Sequence, residues 1–327
     1  MSLVQLIFQA DFSELSPLWI APLAIVFLTN GYVAFRRRPL GNFRYILFLG
    51  PALSPALVPA EQAYRSPWGI LTATVTTLAI VSAARLVDGE RFFAKPRRPL
   101  ESFLWMTLPM VRQQSLRSAS RRTRQALSLF MKGVGKLLVW ELLFRLMQAQ
   151  TVSWFSDYWP LRSAALMCYF VLNLTAAADL LSALCLLAGY DIDLLFDRPL
   201  LAASPREFWS RRWNRFISRF ALQHVARRVR GPEWWMIFTV FATSGVFHEY
   251  FAWGVGGSQA AFGSMSVFFL LQGALVWLTS RATSWSVPRA IGNGLTFGWM
   301  TLTAPLFFRA IEPALAAFAY PRAWYPF

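Results

Sequence analysis

Apolar residues gather along this chain in long runs separated by short charged stretches. Seven strong runs cover 17–35, 43–60, 68–84, 161–189, 234–254, 261–279 and 295–318, and each approaches or exceeds the roughly 20 residues a helix needs to cross a bilayer. Four basic stretches lie between them: four Arg within 36–44, eleven Lys or Arg within 85–133, nine within 190–231 and two within 280–294, together 26 of the 32 basic residues. Placing all four on the cytosolic side requires an even number of crossings between each successive pair. One strong run separates the second stretch from the third, so the pattern predicts a weaker span at Leu137–Trp159, where Glu141 and Arg145 stand four residues apart and can pair on one helical face. The count becomes eight, with both termini lumenal. Pro51, Pro55 and Pro59, with Gly50, interrupt the second run. Such breaks persist in lipid where neighbours satisfy the freed carbonyls, which predicts packing inside the bundle. No Lys or Arg precedes Arg36, while Asp11 and Glu14 are acidic; the first run therefore lacks the basic leader of a cleaved signal peptide and is expected to remain as an anchor.

Composition agrees with this pattern. Hydrophobic residues make up 56% of the 327 positions and charged residues 15%, whereas a soluble domain carries about 25% charged residues. The predicted fold class is all-α: a polytopic membrane protein of about eight transmembrane helices with a cytosolic amphipathic helix, forming one membrane-embedded domain over 1–327. Lys and Arg outnumber Asp and Glu by 32 to 16. Because that charge sits between apolar spans, it reads as topology and contact with membrane lipids, and no nucleic acid partner is expected. Cys168 and Cys185 lie in one apolar segment, too far apart along a helix for a bridge, and read as core packing. Two distant histidines and these two cysteines supply no ligand cluster, so no metal is expected. No Gly-rich phosphate loop or nucleophile elbow is present.

Chemistry can reside in two segments. In the first, Ser204, Pro205 and Glu207 match the cap, first and third positions of a helix. Continued through 220, that helix places Trp209, Trp213, Phe216, Ile217 and Phe220 on one face and Ser210, Arg211, Asn214, Arg215 and Ser218 on the other. Two readings stand side by side: an interfacial helix holding Arg at headgroup level, or a polar floor to a site open to the cytosol. The second segment, Trp234–Gly254, holds one of the two histidines, His248, well inside an apolar run. Ionisable groups at that depth usually face a cavity or a partner. Ser244, Gly245 and Ala252 share its face and predict room for a ligand; the competing reading is a packing hydrogen bond to a neighbouring helix. Glu249 projects about 100° away and reads as structural. His224 reads as a surface residue, and Asp179 as a helix-packing hydrogen bond with substrate contact as the second possibility.

The two segments together resemble the membrane-bound O-acyltransferase family, in its wax synthase-like branch, which includes fungal terpenoid and meroterpenoid acetyltransferases. Arg206-Glu207-Phe208-Trp209-Ser210-Arg211-Arg212-Trp213-Asn214 is similar to the family's FWxRRWN or FWxRRWH block, with Ser210 where glycine is usual. Ser244-Gly245-Val246-Phe247-His248-Glu249, some 34 residues downstream, is similar to its SGxxHE block. The resemblance covers about 191–253. It implies acyl transfer from acyl-CoA, with acetyl-CoA as donor and a terpenoid-type alcohol as acceptor, in the endoplasmic reticulum membrane. His248 would be the catalytic base and Asn214 its polar partner, donating to the thioester carbonyl. Arg206, Arg211, Arg212 and Arg215, with Trp213, would hold the CoA moiety. Long-chain wax ester or sterol acylation is the alternative within the class, and a transporter or lipid-binding scaffold the alternative outside it. Counted from Trp234, His248 lies about 21 Å along its span at 1.5 Å per residue, so a tunnel admitting the pantetheine arm is expected.

Overall fold

The computed structural model describes residues 20–36, 40, 42–57, 68–88, 98–114, 118–148, 158–256, 261–281 and 287–312. It is helical almost throughout. Eleven helical elements matter here: α1 (Ile20–Phe35), α2 (Phe43–Leu53), α3 (Trp68–Asp88), α4 (Pro99–Thr107), α5 (Ala119–Gln148), α6 (Trp159–Leu187), α7 (Pro205–Glu207), α8 (Arg215–His224), α9 (Glu233–Gly256), α10 (Ser264–Arg281) and α11 (Arg289–Ala310). Two short strands, β1 (Val111–Gln114) and β2 (Tyr190–Ile192), pair antiparallel with an irregularity between Val111 and Gln113. Each of the eight predicted spans has a helix at its place. The sequence pattern did not anticipate α4 or the strand pair. Parts of the predicted spans at 17–19, 58–60, 149–157 and 313–318, and the 1–19 leader region, lie outside the described residues.

The chain divides into two compact units, the first comprising 1–109, 249–262 and 310–320 and the second 110–248, 263–309 and 321–327. In the first unit a fully buried amide ties three helices: Asn30 on α1 donates to Ser82 on α3 at 2.9 Å and to Thr107 on α4 at 3.2 Å. Arg85 places its guanidinium 4.2 Å from the Trp105 ring centroid and donates to the Pro109 carbonyl. The proline break in α2 is satisfied as its chemistry demands. Pro55 offers no N–H to the carbonyl of Pro51, and the Ser54 hydroxyl donates to that carbonyl at 3.0 Å. The next carbonyl, of Ala52, accepts from Tyr250 Oη at 2.7 Å. The expected packing inside the bundle holds for one face only: Ile46 and Leu53 are 62% and 59% exposed, so α2 buries one face and presents another.

The second unit is organised around α5 and α6. Ala126 and Leu129 of α5 pack with Ala183 and Leu186 of α6, and Ile192 and Leu194 close over them. Gly133 permits close approach, since a Cβ there would come within 2.8 Å of the Leu180 side chain. One turn on, Lys136 and Asp179 form an ion pair at 2.6 Å, and Trp140 stacks on Tyr169 at 4.9 Å. Asp179 is thus a packing residue, but its partner is a cation that lies one residue outside the predicted span. The helix starts at Ala119 rather than Leu137, and the pairing of Glu141 with Arg145 is present at 2.8 Å. On the opposite side of α5, Leu127, Met131, Leu138 and Leu142 are all more than half exposed. Exposed apolar side chains in such a row are what a lipid-facing helix presents. By length and hydropathy together, α6 is the described helix able to cross a membrane; α1 and α2 are apolar but shorter.

Removing one partner of the Lys136–Asp179 pair strands the other charge between helices. Lys136→Met is expected to cost roughly 2 kcal/mol, below the about 3–5 of a fully buried pair because the lysine is partly solvated. Lys136→Met with Asp179→Leu should recover most of it, as read by thermal unfolding in detergent.

Candidate functional site

The residues of this site lie in the second unit, except Ala252, which belongs to the first. The Ser204-Pro205-x-Glu207 signature forms as the sequence predicts: Ser204 is extended at the cap, its hydroxyl accepts from the Glu207 N–H at 3.1 Å, and Pro205 occupies the first helical position. Glu207 reaches back to the Ala203 N–H at 2.7 Å. The helix then departs from the predicted course. Phe208–Arg212 form a π-turn, closed by the Trp213 N–H on the Phe208 carbonyl at 2.8 Å. Trp213 is extended, Asn214 is left-handed at φ +34°, and α8 begins afresh at Arg215. The single amphipathic helix is therefore corrected to two pieces around a break. Ser218 satisfies the break by donating its hydroxyl toward the carbonyls of Trp209 (2.6 Å) and Trp213 (3.1 Å).

Glu207 is the hub of this turn. Arg212 donates to it through Nε and a terminal nitrogen at 2.8 and 2.7 Å, and Arg289 of α11 adds a second cation at 3.3 Å. Burial pushes the Glu207 carboxyl up, but the Ala203 N–H and the two arginines outweigh it and hold the carboxyl below its usual range. Arg212 also donates to the carbonyls of Asp197 and Arg198 at 3.0 and 3.2 Å. With all three of its guanidinium nitrogens so engaged, Arg212 serves as an internal clamp, whereas the resemblance made it a CoA ligand. Trp213 is likewise internal, stacked on Phe208 at 5.5 Å and packed on Phe196 at 5.0 Å. Arg206 pairs with Glu233 and reaches Ser280 on the rim, both at 3.2 Å. Arg211 and Arg215 are exposed, with no side-chain partner among the described residues.

Asn214 caps α8: its Oδ1 accepts from the Ile217 N–H at 3.3 Å. An amide whose oxygen is so used retains two N–H donors on Nδ2. No hydrogen bond joins Asn214 to His248. His248 is half-buried on α9, and its Nδ1 lies 2.7 Å from the Ser244 carbonyl one turn back. A carbonyl accepts and cannot donate, so Nδ1 carries the hydrogen and, in the neutral ring, Nε2 carries the basic lone pair. The expected room beside His248 at Gly245 is filled: a Cβ there would come 3.0 Å from Ser266 Cα, so this glycine serves close packing of α9 on α10. Ala252 is buried.

An aromatic chain, and not direct contact, links the two sequence blocks. Phe269 of α10 packs on the His248 ring at 4.3 Å, and Trp209 of the π-turn packs on Phe269 at 5.6 Å and on Phe241 at 5.8 Å. Phe269 and its neighbour Gln272 were missed at the level of sequence; a lone amide amid the apolar residues of α10 was the available signal. His224, stacked on Phe220 at 4.6 Å beside Arg228, stays apart from this assembly. Among the described residues no three potential ligands group as a metal site.

The assembly is a half-buried histidine in an apolar helix, separated by aromatic side chains from a turn rich in arginine. Residues 192–271 match the profile of the Membrane bound O-acyl transferase family, a segment that contains both blocks. A "Probable long-chain-alcohol O-fatty-acyltransferase 8" of Arabidopsis thaliana is 31% identical over 45% of this chain and 49% of its own length. "Acyl-CoA--sterol O-acyltransferase 1" of the same plant is 30% identical over 43% and 44%, and the "Long-chain-alcohol O-fatty-acyltransferase" of Simmondsia chinensis 29% over 41% and 42%. The chain thus spans about half the length, or somewhat less, of these relatives. The similarity to the family is carried by residues 192–271, and these relatives are named as O-acyltransferases of long-chain alcohols and of a sterol.

Because the folded-state Glu207 carboxyl titrates below its usual range, its contribution is present at neutral pH and is lost as pH falls through that lowered value. The difference in thermal midpoint between wild type and Glu207→Gln should therefore hold from neutrality down to about pH 5 and shrink only below the ordinary carboxylate pKa of about 4.3.

Proposed function

We propose that the protein is a multi-pass membrane enzyme, resident in the endoplasmic reticulum, that transfers a fatty acyl group from acyl-CoA to the hydroxyl of a long-chain alcohol or sterol. The observation that carries this reading is the 2.7 Å approach of His248 Nδ1 to the Ser244 carbonyl, which leaves Nε2 as the basic nitrogen of the neutral ring. Nε2 takes the hydroxyl proton as the oxygen attacks the thioester carbonyl; the carbon–sulfur bond breaks, and the proton passes to the departing CoA thiolate. Histidine does this near neutral pH without a large pKa shift. Asn214 donates Nδ2–H to the carbonyl oxygen as charge develops on it. Arg211 and Arg215, exposed and uncommitted, receive CoA phosphates at the cytosolic face. Exclusion of water matters because thioester hydrolysis competes with transfer.

The long-chain reading is preferred to the acetyl and terpenoid one because the relatives' names speak of long-chain alcohols and a sterol. Purified protein should esterify hexadecanol or a sterol with palmitoyl-CoA faster than with acetyl-CoA; the reverse preference would restore the acetyltransferase reading. His248→Ala should lose about 10²- to 10⁴-fold in kcat and Asn214→Ala about 10²- to 10³-fold. Full ester formation by His248→Ala would remove the histidine from the chemistry.

A further inference from the structure

Gln272 is fully buried in α10, and an amide in such surroundings is costly unless both its ends are bonded. Both are. Trp209 Nε1 can only donate, which fixes Oε1 of Gln272 toward it at 3.4 Å; Nε2 then donates to Thr303 Oγ1 on α11 at 2.7 Å. The Thr303 hydroxyl passes its own hydrogen to the Trp299 carbonyl at 3.0 Å. The three donors therefore run in one direction, from the π-turn through α10 into α11, and the sense of the chain follows from what each group can donate.

Gln272 stands three residues from Phe269, on the same face of α10. The indole of Trp209 is thus gripped at its nitrogen by Gln272 while its ring leans on Phe269, whose ring packs on His248 at 4.3 Å. The contacts of His248 include the Ser244 carbonyl at Nδ1, Phe247 edge-on at 5.8 Å and Phe269 against its ring. Phe269 is in turn braced by Phe268 at 5.2 Å and by Trp209 at 5.6 Å, so fixing Trp209 helps to fix it.

We infer that Gln272 is a positioning residue for acyl transfer: through Trp209 and Phe269 it holds the His248 imidazole in the orientation that keeps Nδ1 on the Ser244 carbonyl and directs Nε2 to the acceptor hydroxyl. The kinetic part rests on the acyltransferase reading; the geometric part does not.

The test uses full-length protein in nanodiscs, with Gln272→Leu, Trp209→Phe and the two combined. With two histidines in the chain, ¹⁵N-histidine NMR resolves His248 once His248→Ala has assigned it, and it reports the tautomer without any turnover. Wild type should show the Nδ1–H form. Each single variant should show a mixture of tautomers and lose about tenfold in kcat/KM, and the combination should be no worse than either single variant. An unaltered His248 signal in Trp209→Phe, which removes the indole donor along with part of the ring, overturns the inference even if Gln272→Leu fails to fold. So do losses in the two variants that multiply. A wild type without ester formation whose variants still change tautomer would sink the acyltransferase reading and leave the positioning role standing.

Discussion

The Ser244 carbonyl, one helical turn behind His248, has two lone pairs, and the fold uses one for the α-helical ladder and the other for the hydrogen on His248 Nδ1 at 2.7 Å. The acceptor that chooses the tautomer therefore lies within α9 itself. A histidine exposed to water would exchange between two forms; here the backbone of its own helix selects the one in which Nε2 accepts. The remaining freedom is rotation about the side-chain bonds, and that is where the second unit contributes. Phe269 blocks the ring on one side, and the π-turn that supplies Trp209 is held by charge rather than by apolar packing alone.

That charge is concentrated on one carboxylate. Glu207 closes the cap of α7, receives Arg212 from five residues on and receives Arg289 from α11. Gly292 belongs to the same arrangement, because any side chain at that position would run into the Ala203 carbonyl beside the cap. A π-turn is wider than an α-turn and makes poorer contacts with itself. This one persists because an ion pair spans it, Ser218 satisfies the carbonyls at its exit, and Trp213 stacks back on Phe208. The basic block thus has two populations. Arg212 builds the turn, while Arg211 and Arg215 remain available to an anionic ligand.

Hydropathy made the helices legible because twenty-residue apolar runs admit few other structures in lipid. The cap at Ser204 was legible because each of its residues has one geometric use. The break at Asn214 was not: periodicity assumes a continuous helix, and a π-turn shifts every later side chain by roughly a residue's rotation. The division of labour among the arginines was equally hidden, since a sequence does not distinguish a guanidinium facing Glu207 from one facing water. At Gly245, a small residue signalled space, yet small residues on membrane helices as often signal the close approach of another backbone; here Ser266 fills it. Gln272 could have been found, by treating a buried amide in an apolar helix as the same kind of warning as a buried histidine.

Asn214 shows how several demands converge on one residue type. Its backbone is left-handed, which glycine tolerates best and Asn, Asp and His tolerate better than other residues. Its Oδ1 caps α8, a task Asp and Ser also perform but glycine performs without a side chain. The proposed chemistry adds a hydrogen-bond donor aimed at a carbonyl, which excludes ionised Asp and glycine. Asparagine satisfies all three. Histidine, which the similar family block also carries at this place, satisfies the first and the third. The two residue types therefore share the left-handed backbone and the donor, and the cap is what asparagine adds. A position chosen for helix capping alone would accept Asp or Ser, and one chosen for backbone geometry alone would accept glycine.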